Sequence, residues 1–169
     1  MPNRASARTR DRVIDTVREL LADGSFHGST VEEVATRAGV SRATLYTHFG
    51  SRIGLVDALC ERLNETAALR EIRTTTDADR LIELSVEFWA ADERIFEQLY
   101  GAVAVDPAAA DFVERQRGDR AQEIRRVTKS KSQQAQLLLL TSFETYRELR
   151  RGVGLSQADV TKSLKRLLR

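Results

Sequence analysis

Residues 30–50, with the sequence TVEEVATRAGVSRATLYTHFG, contain two helix-start signals on either side of one glycine. Thr30 and Glu33 have the spacing of a capping box, in which the hydroxyl and the carboxylate each satisfy a backbone N–H group of the other residue. Gly39 can take the left-handed conformation that ends the first helix, and Ser41 can cap the second. Two short helices joined by a tight turn that contains glycine predict a helix-turn-helix.

The second helix of this pair is predicted from Arg42 to about Phe49, with Leu45 and Phe49 four residues apart on its inward face. Its other faces carry small or hydrogen-bonding side chains. A helix of this kind fits the major groove of B-DNA, which is roughly 12 Å wide. An ordinary helical hairpin in a bundle is the alternative. The capping box and the polar outer face favour the DNA-binding interpretation.

The composition of the chain favours an all-α fold. Of its 169 residues, 41% are hydrophobic and 31% are charged, and 9 Gly and 2 Pro are too few for the many turns of a β-sandwich or barrel. The longest bulky apolar run, Leu137 to Leu140, is far shorter than the roughly 18 residues of a membrane span, and the N-terminus lacks the apolar region of a signal peptide. We therefore expect a cytoplasmic protein with no membrane partner.

The formal net charge of +2 lies entirely in the first third of the chain. Residues 1–52 hold eight arginines against six acidic residues, whereas the bases and acids of residues 53–169 balance. A mild preference for a polyanion is therefore expected near the helix-turn-helix. Four of these arginines lie in a lead with few apolar residues, which favours a frayed arm over a packed element; they are Arg4, Arg8, Arg10 and Arg12.

Apolar residues at helical spacing predict about nine helices. One of them is expected to run from Arg52 to about Arg70. Start and stop signals divide the others, namely a stop at Asp23-Gly24, starts at Asp77 or Asp79 and at Asp106-Pro107, and a connection at Lys129–Ser132 before the last pair.

The pattern Ala-x-x-Ala-Gly-Val-Ser-x-x-Thr-Leu-Tyr-x-His-Phe, residues 35–49, resembles the DNA-binding signature of TetR-family transcriptional regulators. The resemblance extends from Val13 to Leu59. It implies a three-helix helix-turn-helix head with its N-terminal arm in residues 1–52, joined by a linking helix to an α-helical ligand-binding and dimerisation body in residues 53–169. It further implies a homodimeric repressor that binds a palindromic operator in double-stranded DNA and is released by a small-molecule effector.

The resemblance also assigns roles on the DNA-binding head. Arg42, Thr44 and Thr47 match positions that face base edges, and Arg42 can donate two bonds to guanine. Glu32 is a departure from the family pattern: its carboxylate either accepts from cytosine N4 or faces solvent near a helix N-terminus, and the second interpretation is favoured. Positions that contact phosphates are matched by Thr30, Tyr46, His48 and Arg52. Arg52 stands where the family usually has Lys. For His48, a structural hydrogen bond is the alternative.

In the body, the resemblance implies an effector pocket and a dimer interface. A small apolar or aromatic effector is expected, although plain core packing is the alternative for an aromatic stripe. The last two helices are expected to form the dimer contact, with closure of the monomer core as the alternative. The candidate pocket residues are Phe88, Trp89, Phe96, Tyr100 and Phe112. The candidate interface residues are Leu139, Phe143, Tyr146, Leu149, Val160, Leu164, Leu167 and Leu168.

No pattern in the sequence is typical of an enzyme. It has no cluster with metal-ligand spacing, no glycine-rich phosphate loop and no Ser-His-Asp pattern, so we expect no catalysis, cofactor or metal. Its single cysteine, Cys60, excludes a disulfide framework and is expected to be a small buried hydrophobe, with an oxidisable sensor as the alternative. A helical adaptor that has lost DNA binding is a further rival, motivated by Glu32 and the modest charge of the head.

Overall fold

A computed structural model of the chain describes residues 4–63 and 65–169, and within these ranges it contains eleven α-helices and no strand. The predicted all-α fold is therefore confirmed. A 3₁₀ turn at Phe26–Gly28 precedes α2, and a π-helical turn at Glu148–Gly152 follows α10. The helices are α1 (Arg4–Ala22), α2 (Val31–Arg37), α3 (Arg42–Phe49), α4 (Arg52–Leu63), α5 (Ala67–Ile72), α6 (Ala78–Ala91), α7 (Glu93–Gly101), α8 (Pro107–Val127), α9 (Lys131–Leu140), α10 (Phe143–Arg147) and α11 (Gln157–Leu168).

The helix-start signals in the sequence are confirmed where they were predicted. The Thr30 hydroxyl accepts from the Glu33 N–H, and the Glu33 carboxylate accepts from the Thr30 N–H at 2.6 Å, which completes the capping box of α2. Ser41 caps α3 through the Thr44 N–H at 3.0 Å, and Asp77 caps α6. These helix ends follow the sequence because a side-chain acceptor satisfies N–H groups that have no partner within the helix.

Three segments differ from their predicted structure. The arginine-rich lead is helical from Arg4, because Ala and Arg are strong helix formers and Arg10 both pairs with Glu61 at 2.7 Å and lies over the Phe49 ring. The predicted helix from Arg52 to Arg70 passes through residue 64, outside the described ranges; α4 ends before that residue and α5 starts after it, capped by Thr66.

The first helix of the predicted last pair, expected to carry the apolar stripe from Leu137 to Leu149, is likewise divided. Ser142 accepts from the Thr145 N–H at 3.1 Å and so caps a new helix, α10. These two divisions explain why eleven helices, rather than about nine, are found in the described part of the chain.

The chain divides into two compact units. The first runs to Leu63 and also contains Glu97–Glu114, and the second contains the segment up to Phe96 and Arg115–Arg169. The division therefore passes through α7 and α8, and α4 belongs with the helix-turn-helix. The predicted boundary at residue 52 does not coincide with the division into packing units, and it stays a prediction.

The core of the first unit forms where α1 packs on α2 and α4, and α3 packs on α2 and α4. Val13, Val17 and Leu21 on one face of α1 are fully buried, as are Leu45 of α3 and Leu55 of α4. Burial of each such side chain contributes about 1.5–3 kcal/mol relative to leaving it in water. Cys60 is also buried, as expected for a small hydrophobe.

The second unit is built around α6, which packs against α5, α9, α10 and α11. An aromatic cluster lies at its centre, with the ring of Trp89 4.9 Å from that of Phe88, 4.9 Å from that of Phe96 and 5.4 Å from that of Phe143. The Trp89 indole N–H donates to the Thr141 carbonyl oxygen at 3.0 Å. Trp89 is therefore fixed by both packing and a buried hydrogen bond.

Across the ranges that the structure describes, no helix combines the length and the apolar character needed to cross a lipid bilayer.

Gly54 lies in the first turn of α4, where a Cβ atom would fall on the carbonyl oxygen of Phe49. We expect Gly54→Ala to lower the free energy of unfolding by about 1–3 kcal/mol, because the backbone has to shift to admit the methyl group. Gly118 in α8 is the matched control, since nothing lies within 4 Å of its Cβ position. Gly118→Ala should raise the free energy of unfolding by about 0.5–1 kcal/mol. Urea unfolding followed by circular dichroism measures both, and equal effects would contradict the close approach at Gly54.

Candidate nucleic-acid interface and effector pocket

The helix-turn-helix consists of α2, a turn at Gly39 with φ of +64°, and α3. Leu45 is fully buried and Phe49 is 9% exposed, so the predicted inward face of α3 is confirmed. The opposite face of α3 is turned away from the core of the first unit. We refer to α3 as the recognition helix because its capped start and outward polar face suit the major groove.

Arg42 lies at the start of the recognition helix with 61% of its side chain exposed. Its guanidinium lies 5.5 Å from the centre of the Tyr46 ring, and its Nη1 is 3.7 Å from a carboxylate oxygen of Glu32. The Glu32 side chain is 72% exposed, in agreement with the solvent-facing interpretation. Its proximity to Arg42 is new, because Glu32 and Arg42 lie on different helices and their approach follows from the turn between them.

The hydroxyls of Thr44 and Thr47 form hydrogen bonds within the first unit. The Thr44 hydroxyl is 2.8 Å from that of Ser41, and the Thr47 hydroxyl donates to the Ala43 carbonyl oxygen at 2.9 Å. A hydroxyl that donates in this way keeps acceptor capacity, and the Thr methyl group stays available for a thymine methyl. Their base-reading role stays a prediction, and for Thr47 it is restricted to accepting and apolar contacts.

Tyr46 and His48 differ in exposure. Tyr46 is 39% exposed, whereas His48 is half-buried with its ring 6.1 Å from that of Phe49. The predicted phosphate contact therefore suits Tyr46 better than His48, and it stays a prediction for both.

Thr30 reveals a conflict between two predicted roles of the same donors. Its N–H and its hydroxyl both donate to Glu33, at 2.6 Å and 2.9 Å, and these bonds hold the pKa of the Glu33 carboxyl below its usual value. The carboxylate therefore occupies the position at the start of α2 that a phosphate would take. A phosphate contact by Thr30 requires displacement of Glu33.

Arg52 is bound within the first unit, which differs from the role expected for it. Its Nη1 donates to the Ser29 carbonyl oxygen at 2.7 Å and its Nη2 to that of Phe26 at 2.5 Å. The guanidinium also lies 4.1 Å from the centre of the Phe26 ring and 3.5 Å from the Asp106 carboxylate, with 24% of the side chain exposed. Its predicted phosphate contact is therefore limited to the N–H groups that these bonds leave unused.

His27 and Asp106 complete this cluster, and sequence reasoning found no partner for His27. The two side chains meet at 2.8 Å, and a second oxygen of Asp106 accepts from the Ala108 N–H at the start of α8. Burial alone would raise the pKa of Asp106, but the bonds from His27 and Ala108 and the charge of Arg52 together hold it below its usual value. No local signal links residues 79 positions apart.

The five predicted pocket aromatics are divided between the two units. Phe88 and Trp89 line a cavity of about 20 Å³ in the second unit, and Phe96 packs against both. Tyr100 and Phe112 belong to the first unit. The effector pocket stays a prediction, and Phe88 and Trp89 are the candidate residues that line this cavity of the second unit.

The same cavity has polar residues that the sequence interpretation did not single out. Three of them come from α8 and line the cavity together with apolar side chains of α5 and α6; they are Gln116, Arg120 and Glu123. Glu123 also lines a wider groove of about 280 Å³ together with Arg73, Asp119, Gln122 and Arg126. The helical spacing of 116, 120 and 123 is a signal that could have placed these residues on one face of α8.

The predicted dimer residues divide into two groups. Leu139 and Leu167 are 68% and 64% exposed, and Leu149 and Leu168 are half-buried. The other four are buried within the second unit, namely Phe143, Tyr146, Val160 and Leu164. Only the four exposed or half-buried leucines are available to a second copy of the chain. The interface stays a prediction.

Comparison with known proteins places the helix-turn-helix in a family. Residues 13–59 match the sequence profile described as "Bacterial regulatory proteins, tetR family". The HTH-type transcriptional activator FasR of Mycolicibacterium smegmatis is 35% identical over 81 residues, which are 46% of this chain and 37% of that protein. The HTH-type transcriptional regulator AlkX of Mycobacterium tuberculosis is 32% identical over 102 residues, 60% of this chain and 45% of that protein. The chain thus spans less than half the length of these two relatives.

The fold has a counterpart among solved structures. A transcriptional regulator from Aquifex aeolicus superposes with a TM-score of 0.68 at 17% identity, over 94% of this chain and 96% of that chain. These relatives are named as transcriptional regulators, in agreement with the prediction that the chain is not an enzyme. Residues 13–59, which contain the helix-turn-helix, thus match the tetR family of bacterial regulatory proteins, and the all-α fold of the chain agrees with that of the superposed structure.

Proposed function

We propose that this chain is a sequence-specific DNA-binding transcriptional regulator that acts as a homodimer on a palindromic operator. It acts as a repressor, and a small molecule bound in the second unit releases it from DNA. The observation that carries the proposal is the recognition helix, which Ser41 caps, Leu45 anchors, and from which Arg42 projects with most of its side chain exposed.

DNA binding is supported by the chemistry of the exposed face of the recognition helix. Arg42 can donate in parallel to guanine O6 and N7, and Thr44 and Thr47 can contact thymine methyl groups. Tyr46 lies beside Arg42 and can reach the sugar-phosphate backbone. The modest charge of the head means that affinity depends on two heads acting together and on such direct contacts more than on a broad basic surface.

A homodimer is supported by the exposed apolar residues of the last helices. Leu139 of α9 and Leu167 of α11 lie on helices that pack on each other, and both leucines are mostly exposed. A second copy would remove them from water with a gain of about 1.5–3 kcal/mol for each fully covered side chain. A two-fold dimer also matches the symmetry of an operator with two half-sites about one DNA turn apart.

The proposal is tested by DNA protection at varied salt. Purified protein is expected to protect a dyad-symmetric site in the DNA upstream of its own gene, with affinity that falls steeply as salt rises because phosphate contacts release counterions. Footprinting and fluorescence anisotropy measure site and affinity, and in vitro transcription from the same promoter should decrease. Absence of affinity for any duplex at low salt would contradict the function, and increased transcription would contradict repression.

Arg42→Ala should relax the preference at one base pair by about 1–3 kcal/mol, because the guanidinium is expected to bridge two acceptors of a guanine. Competition between the operator and single-base variants measures this preference. A loss of affinity that is equal for all sequences would show that Arg42 contacts phosphate only.

Glu32→Gln serves as the companion variant for Arg42→Ala. If the Glu32 carboxylate only faces solvent beside Arg42, its removal should raise affinity for all duplexes, because one negative charge near the phosphates is lost. If Glu32 accepts from cytosine N4, the variant should instead lose preference at a single base pair. The same competition assay separates the two outcomes.

Arg52→Met is expected to lower the free energy of unfolding by about 1–3 kcal/mol, because two carbonyl oxygens and the Asp106 carboxylate lose a partner while the stem still covers Phe26. Thermal and urea unfolding measure the change. Arg37→Met is the control, since Arg37 makes only a half-exposed ion pair with Asp23. Unchanged stability of Arg52→Met with weakened DNA binding would contradict the internal role and support a phosphate contact.

A further inference from the structure

A small cavity in the second unit combines apolar walls with an arginine, Arg120, that has two buried nitrogen atoms without a hydrogen-bond partner. Leu69 and Ile72 of α5 and Leu81 and Phe88 of α6 form its apolar side. Arg120 of α8 also lines the cavity, and its Nε and Nη1 atoms are buried and make no hydrogen bond.

Two buried guanidinium nitrogens without acceptors are unfavourable for folding. Arginine stays protonated in proteins, so it cannot escape the cost of burial by losing its charge. Buried donors without acceptors are rare in native structures, and each one calls for a specific explanation. The explanation that fits here is an acceptor supplied from outside the chain.

The one carboxylic acid beside this cavity is poorly suited to be that acceptor. Burial raises the pKa of Glu123 to about 7, with Asp119 adding to the rise and Arg126, Arg73 and Arg120 opposing it. At mildly acidic and neutral pH a large fraction of Glu123 is therefore uncharged. The cavity and the adjoining groove then present three arginines against the single carboxylate of Asp119.

We infer that this cavity binds a small monocarboxylate with an apolar tail, whose carboxylate pairs with Arg120 and whose tail packs on Leu81, Phe88 and Trp89. A planar carboxylate matches the fork of N–H donors on a guanidinium, and the apolar walls favour a hydrocarbon tail. A cationic ligand would be repelled by Arg120, and a neutral ligand could accept a hydrogen bond but would leave the positive charge of Arg120 without a counter-charge.

The size of the cavity limits the tail. As it stands, the cavity of about 20 Å³ holds no more than about one water molecule. The tail must therefore be short or must move side chains aside. A groove of about 280 Å³ also has Glu123 in its lining.

This inference rests on the effector-responsive part of the proposed function and names the chemical class of the effector. Ligand binding can be measured without DNA. If the protein binds hexanoate but no duplex, the proposed function fails and the carboxylate site stands. If it binds its operator but no carboxylate, the inference alone fails.

The experiment uses the fluorescence of Trp89, the single tryptophan of the chain, which lines the cavity. Titration of the full-length chain with hexanoate at pH 6.5 is expected to give a saturable change, with 1-hexanol at least tenfold weaker because it has the same tail without the charge. Equal binding of the alcohol, or no response to either compound, would overturn the inference.

Arg120→Met is the decisive variant, because it keeps most of the side-chain volume and removes the charge. It should weaken hexanoate binding at least tenfold and leave the protein at least as stable to heat as the parent, since two unpartnered donors are gone. Arg125→Met, an exposed position on the same helix, should leave binding unchanged. Full hexanoate affinity in Arg120→Met would overturn the inference, and so would a loss of binding equal in both variants.

The pH dependence gives a second readout. In the parent, hexanoate affinity should fall several-fold from pH 6 to pH 8, because Glu123 ionises and competes for Arg120. In Glu123→Gln the affinity should stay constant over that range. A fall of equal size in the variant would contradict the assignment of Arg120 as the anion partner beside Glu123.

Discussion

The guanidinium of Arg52 is the contact on which the geometry of the first unit depends. It joins two carbonyl oxygens of the segment before α2 to the start of α4, and it lies against the Phe26 ring. A half-buried charge needs several partners to offset the loss of hydration, and Asp106 supplies the one that is charged. Because Asp106 also caps α8, the segment before the recognition motif and the start of α8 share one electrostatic cluster.

The helix-turn-helix shows why local structure can be predicted from sequence more easily than the roles of individual side chains. Capping depends on residues three positions apart, so Thr30, Glu33 and Ser41 identify the starts of α2 and α3 without knowledge of the fold. The same bonds consume donors that a phosphate contact would need, which only the assembled geometry reveals. Side chains that are distant in sequence, such as Glu32 beside Arg42, meet because of the turn angle at Gly39.

In the second unit the apolar stripes were predictable as helices, but their partners were not. A stripe that contains Phe143 and Tyr146 suits a dimer contact and a monomer core equally well by spacing, and both residues prove to be buried within the unit. Arg120 carries no signal in a helix already rich in charge. Its significance depends on burial and on missing partners, which are properties of the three-dimensional packing. The division of two predicted helices likewise follows from caps at Thr66 and Ser142 that compete with continued helix.

The position of Trp89 makes tryptophan fluorescence a probe of the second unit. No other tryptophan occurs in the chain, and Trp89 lies in the aromatic centre of the second unit. Its emission on heating therefore follows the melting of that unit alone, while far-ultraviolet circular dichroism follows the helices of both. Coincidence of the two curves is a direct measure of whether the first and the second unit unfold as one cooperative species.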